Sequence, residues 1–155
     1  MDLQPGDPAP PFCLAADDGR ELALEDFRGR TLVLYFYPKD DTPGCTTEAQ
    51  EFRDAVGELA AAGATVVGVS PDDVASHRAF KAKHALPFPL LSDPDHAVAA
   101  AYGAWGPKTL YGRAYEGVIR STFVVGPDGR LVRAYRNVRP AGHCARVLAD
   151  LRPAR

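Results

Sequence analysis

A chain of 155 residues is long enough for one domain with a real core, and the expected organisation is a single domain over 1–155. An apolar share of 46% and a charged share of 25% are those of an ordinary globular protein. The net charge of −2 argues against nucleic acid or an anionic membrane as partner. No apolar run approaches the roughly 20 residues of a membrane helix, and the first residues carry no basic or apolar leader pattern, so a cytoplasmic location is expected. Three cysteines, Cys13, Cys45 and Cys144, are an odd number and do not make a secreted disulfide framework.

The predicted elements follow in order. Pro5, Pro8, Pro10 and Pro11 mark an extended entry segment. Asp17-Asp18-Gly19-Arg20 is a turn, with Leu22, Leu24 and Phe27 in loose alternation after it. Thr31–Tyr37 is β-branched and aromatic, a buried strand. Ala49, Phe52, Val56, Leu59 and Ala60 then recur at helical spacing, giving a helix from about 45 to 62 that stops near Gly63. Thr65–Ser70 is a second buried strand. Asp72 is the expected cap of a helix running to about His84, and Pro87 and Pro89 follow it. Leu90–Ser92 is a short strand, and Asp93 or Asp95 opens a short helix through Tyr102. The segment 103–120 reads as a structured loop. Ser121–Val125 and Leu131–Tyr135 flank Gly126-Pro127-Asp128-Gly129, a hairpin signal, and a last helix covers about 142–151. Strand–helix–strand–helix order implies parallel pairing, and the late hairpin adds antiparallel strands. The expectation is an α/β fold, a mixed central sheet with helices on both faces.

The most chemically loaded segment is Pro38-Lys39-Asp40-Asp41-Thr42-Pro43-Gly44-Cys45. Thr42 suits an N-cap and Pro43 a first helical position, which puts Cys45 in the first turn of the helix. Unpaired backbone N–H groups and the helix dipole there favour an anion, and the thiolate is the reactive form of cysteine. The helix-start C-x-x-C of dithiol oxidoreductases is here Thr42-Pro43-Gly44-Cys45, so a disulfide cannot close across this loop. Asp40 and Asp41 oppose a thiolate by like charge, with Lys39 a partial offset.

The run Phe36-Tyr37-Pro38-Lys39-Asp40-Asp41-Thr42-Pro43-Gly44-Cys45-Thr46-Thr47-Glu48, with its Pro38-x-x-x-Thr42-x-x-Cys45 core, resembles the peroxiredoxins, in particular the peroxiredoxin Q (bacterioferritin-comigratory) branch. Gly6–Pro10, Gly68-Val69-Ser70, Ser76-His77-Arg78-x-Phe80, Leu91-Ser92-Asp93 and Arg120-Ser121-Thr122-Phe123 are similar to further segments of that branch. The resemblance implies a thioredoxin-like fold and a thiol peroxidase acting on hydrogen peroxide and organic hydroperoxides. It implies Cys45 as peroxidatic nucleophile, Thr42 as hydrogen-bonding partner of the peroxide, Arg120 as fixed positive charge, Pro38 as shield of the pocket and Glu48 as holder of the arginine. Nothing in the residues themselves singles out Arg120 among the arginines. Thioredoxin or a similar thiol is the implied reductant, no cofactor is needed, and the branch implies a monomer.

The resemblance implies a resolving cysteine five residues past Cys45 or in the next helix, and the chain departs from that pattern. Five residues past Cys45 stands Gln50, and Arg78–Lys83 in the next helix holds no cysteine. The expected outcome is resolution of the Cys45 sulfenic acid by an external thiol. Cys144, expected near the surface at the start of the last helix, is the alternative resolving residue, followed by Cys13, expected as a buried core thiol. His77, His84, His96 and His143 lack ligand spacing with the cysteines, so no metal site is expected. A redox-sensing or holdase protein is the second reading, and a disulfide reductase, disfavoured by Thr42, the third.

Overall fold

The computed structural model describes residues 3–151. Its strands are β1 (Cys13–Ala16), β2 (Glu21–Ala23), β3 (Thr31–Phe36), β4 (Ala64–Ser70), β5 (Leu90–Ser92), β6 (Trp105–Leu110), β7 (Arg113–Val118), β8 (Ser121–Val125) and β9 (Leu131–Tyr135). Its α-helices are α1 (Pro43–Ala61), α2 (Val74–His84), α3 (Ala97–Ala101) and α4 (His143–Leu151), and a 3-10 turn covers Leu24–Phe27.

Seven strands form a sheet in the order β2-β1-β5-β4-β3-β8-β9. The central β3, β4 and β5 run parallel, and β1, β2, β8 and β9 pair antiparallel. β3 is buried on both sides, as a strand at the centre of a helix-covered sheet should be. Its pleat divides the core in two. Val33 and Tyr35 join Phe52 and Leu59 of α1, Phe80 of α2 and Val147 of α4 on one face. Leu32, Leu34 and Phe36 join Ala99 of α3, Tyr102 and Phe123 on the other. The expected mixed sheet with helices on both faces is the observed one.

The segment 103–120 departs from its expectation as a loop. Most of it is a separate two-stranded ribbon, β6 against β7, turning through Tyr111 and Gly112 at φ 51° and 76°. Two consecutive left-handed residues give the twist a tight hairpin needs. Tyrosine is no turn signal and Pro107 is no strand signal, which hid the ribbon in the sequence. Small boundary shifts also have local causes. Asp73, not Asp72, caps α2 by accepting from Ser76 N at 2.8 Å. Asp93 sends both carboxylate oxygens to Val98 N and Ala99 N, so α3 itself begins only at Ala97.

Candidate active site

The site forms where β3 ends and the chain turns through 37–42 into α1, at the carboxyl end of the parallel strands. Thr42 is the N-cap residue of α1 in extended conformation, Pro43 is the first helical residue, and Thr46 N closes the first turn on Thr42 O at 2.8 Å. Cys45 therefore sits in the first turn, as its sequence setting predicts, and is 2% exposed. The Thr42 hydroxyl does not cap the helix. It donates to the Lys39 carbonyl at 3.0 Å.

Arg120, between β7 and β8, reaches across to α1. Its Nη1 donates to Glu48 Oε1 at 2.6 Å and its Nη2 donates to Cys45 Sγ at 3.3 Å. One guanidinium thus joins a carboxylate and a thiol 75 residues away from it in sequence, using the fixed fork that only arginine offers. Burial opposes the Arg120 charge, and Glu48 with Cys45 outweighs that, holding its pKa above the ordinary value. Glu48 is 1% exposed, and burial pushes its carboxyl up to about 7 against the pull of Arg120. Two buried oxygens beside the pair, Glu48 Oε2 and Tyr35 Oη, have no hydrogen-bond partner.

Gly44 explains how the guanidinium approaches. A Cβ on Gly44 would stand 3.3 Å from Arg120 Nη2 and 3.3 Å from Pro140 Cγ. Pro38 and Arg120 line a cavity of about 490 Å³ together with Lys108, Ile119, Asn137 and Val138. Lys108 donates to the Val118 carbonyl at 2.9 Å. Burial lowers its pKa, as does the charge of Arg120. Lys108 and Tyr35 are not legible as site residues, because only the fold brings them beside Arg120 and Cys45, and the contact of Gly44 with Arg120 is likewise a product of the fold.

The two acids of the loop do not stand as free charges against Cys45. Asp40 is buried, with His77 Nδ1 at 2.7 Å, and Asp41 pairs with Lys83 Nζ at 2.8 Å and His84 Nε2 at 3.3 Å. Lys83 and then His84 hold the Asp41 carboxyl below its usual value. Among the described residues, Asp40, Asp72 and His77 are the one group whose ligating atoms lie within 4.8 Å of one another. All three already make hydrogen bonds within the protein.

The other cysteines exchange their expected settings. Cys13 is exposed on β1, where its thiol donates to Glu21 Oε2 at 3.4 Å, while Phe12 and Ala16 carry the core there. Cys144 is buried in the face shared by α1 and α4, and burial raises its thiol to about 12. Its spacing with Val147, Leu148 and Leu151 is one helical stripe, a signal that could have revealed its burial. All three cysteines are free. Gln50, five residues past Cys45, has its Nε2 3.4 Å from His84 Nδ1.

A family model described as AhpC/TSA matches residues 5–134, most of the chain. The chain belongs to the AhpC/TSA family. A putative peroxiredoxin of Mycobacterium tuberculosis is 50% identical over 149 residues, 96% of this chain and 95% of that one. Peroxiredoxin Bcp of Bacillus subtilis is 45% identical over 152 residues, 98% and 97% of the two chains. The bacterioferritin comigratory protein of Xanthomonas campestris, solved in connection with alkyl peroxide reduction activity, superposes with a TM-score of 0.86. It is 44% identical, with 90% of this chain and 89% of that one covered. A peroxiredoxin Q variant from Xylella fastidiosa reaches a TM-score of 0.91 at 39% identity, over 97% and 96% of the chains. The chain is a peroxiredoxin of the Bcp, or peroxiredoxin Q, branch, a thiol peroxidase with the thioredoxin-like fold. Its substrate is a peroxide and its reductant a thiol. No helix among the described residues is long and apolar enough to cross a membrane.

Proposed function

We propose that Cys45 is the nucleophile of this peroxidase and that an external thiol completes its cycle. The Cys45 thiolate attacks one peroxide oxygen and the O–O bond breaks. The leaving oxygen takes up a proton to become water or an alcohol, and sulfur keeps the other oxygen as sulfenic acid. A thiol then displaces water to form a mixed disulfide. A second thiol releases reduced Cys45 and leaves the donor as a disulfide.

The observation that carries this reading is the Arg120 guanidinium bound at once to Glu48 and to Cys45 Sγ. Its positive charge attracts the thiolate and stabilises charge on the departing oxygen. The Thr42 hydroxyl spends its hydrogen on the Lys39 carbonyl, which leaves its lone pairs to accept from a peroxide O–H. Pro38 forms part of the wall of the cavity beside Arg120.

External resolution is supported by the remaining thiols. Cys144 is buried and its pKa is about 12, so it is a poor attacking thiol in the folded protein. Cys13 lies on β1, near the edge of the sheet and three strands from β3. Thioredoxin or a similar dithiol protein is the reductant in this reading, and the working form is a monomer. Peroxide consumption coupled to a thiol donor tests it. Turnover should vanish in Cys45→Ser and persist in Cys13→Ser and Cys144→Ser; loss of turnover in either of the latter contradicts external resolution.

A further inference from the structure

The acids next to Thr42 have no part in the chemistry above, yet one of them is the most heavily bonded carboxylate of the loop. Asp40 stands five positions before Cys45 and is buried. Its Oδ1 accepts from the Tyr37 hydroxyl at 2.6 Å. Its Oδ2 accepts from Ser76 Oγ at 2.8 Å and lies 2.7 Å from His77 Nδ1. Its backbone N–H donates to Asp72 Oδ2 at 2.7 Å, and that same oxygen accepts from Ser70 Oγ at 2.7 Å.

His77 ties this cluster to the sheet. It is 0% exposed, and its Nε2 lies 2.9 Å from the Leu91 carbonyl. Both ring nitrogens face oxygen acceptors, so the imidazole acts as a rigid strut between β5 and the loop. A buried polar pair is a poor source of stability compared with apolar side chains of the same volume. What it fixes well is geometry, since each bond admits one arrangement.

The loop has need of that. Asp41 adopts φ 61°, a left-handed conformation that Asp tolerates better than most residues and that here turns the chain between Asp40 and Thr42. On one side of Asp41 is Asp40. On the other is Thr42, the N-cap that sets where α1 starts and so where Cys45 lies relative to Arg120. Pro38, at the other end of the loop, lines the cavity.

We propose that Asp40 and His77 are positioning residues for the peroxidase reaction, an inference that rests on Cys45 being the nucleophile. Neither touches the reacting atoms. They hold the segment from Pro38 to Thr42 so that the sulfur, the guanidinium and the cavity wall keep their mutual geometry.

Two reactions of Cys45 separate this role from a merely structural one. Reaction with peroxide depends on the aligned site, whereas alkylation by iodoacetamide needs a thiolate and access but not the arrangement around the peroxide. In Asp40→Asn and His77→Ala, the second-order rate with hydrogen peroxide should fall by about 10- to 100-fold, the cost of a misplaced reacting group. Alkylation of Cys45 should stay unchanged or become faster. His77→Asn, whose amide keeps a hydrogen-bonding group facing Asp40, should recover most of the peroxide rate. If His77→Ala does not fold, the comparison rests on Asp40→Asn, which preserves shape. An unchanged peroxide rate in Asp40→Asn overturns the inference, as does an equal loss of both reactions. Failure of the underlying reading is a different result: undiminished peroxide consumption by Cys45→Ser.

Discussion

Glu48 and Arg120 meet at 2.6 Å with Glu48 all but sealed from water, and only one of its two carboxylate oxygens is bonded. A carboxylate in that position is held by a single charged partner against a large cost of burial. The arrangement fixes the guanidinium that touches Cys45 and makes its fixing dependent on the state of Glu48.

The first prediction concerns pH. Burial raises the Glu48 carboxyl from 4.5 to about 7, so the folded protein holds a proton there that the unfolded chain has released. Stability from this group is present in full below about pH 4.5 and is lost as pH rises to about 7. Ionisation across the same window completes the ion pair with Arg120, so the peroxide reaction should gain as stability declines. Chemical denaturation at several pH values should show the downward slope in the parent protein and a flatter profile in Glu48→Gln. An identical slope in both would contradict the assignment.

Arg120→Ala removes both bonds at once. The second-order rate with peroxide should fall by about 10²–10³, the range seen when a donor to a developing oxyanion is lost. Stability should drop by about 3–5 kcal/mol at alkaline pH, where Glu48 is left buried and ionised. That loss should shrink as pH falls and Glu48 takes up a proton, which it does more readily than in the parent protein because Arg120 no longer pulls its pKa down. Arg120→Lys keeps the charge but not the fork, and it should restore stability better than rate. Stopped-flow rates and denaturation curves measure the two effects separately.

Gly44→Ala tests the close approach. The new methyl meets Arg120 Nη2 and Pro140 Cγ at 3.3 Å, so the guanidinium must give by a few tenths of an ångström. A rate loss of roughly 10-fold is expected, below the 10² that a displacement of 1 Å can cost. The melting temperature should hardly change. A large drop in melting temperature with an unaltered rate would show that the glycine serves packing alone.

Gly68→Ala is the converse case, a packing effect that reaches the site only through Tyr35. Its Cβ would stand 2.9 Å from Tyr35 Cζ and 3.0 Å from Leu90 Cδ2 in the packed centre of the sheet. Overpacking of this kind costs about 1–3 kcal/mol, to be read from denaturation midpoints.

Much of this was legible because it is local. Thr42 and Pro43 announce the start of α1, and with it the first-turn position of Cys45. The β-branched runs of β3 and β4 announce a buried parallel centre. What was not legible comes from distant chain. Arg120 became a candidate through family resemblance, and its bonds depend on how β7 and β8 bring it over α1. The charges of Asp40 and Asp41 look adverse in sequence, and α2 answers both of them in space. Cys144 lies on the buried stripe of α4, whereas Cys13 is exposed for a simple reason. Adjacent residues of a strand face opposite sides, so an apolar neighbourhood such as Phe12-Cys13-Leu14 does not say which of them points inward.

The central claim, a nucleophilic Cys45 resolved from outside the chain, has one direct test. Reduced protein is treated with a single equivalent of hydrogen peroxide and its intact mass is read before any thiol is added. The account predicts one added oxygen, located on Cys45 and trapped there by a sulfenic-acid-selective carbon nucleophile. Formation of a Cys45–Cys144 or Cys45–Cys13 disulfide in its place would contradict it.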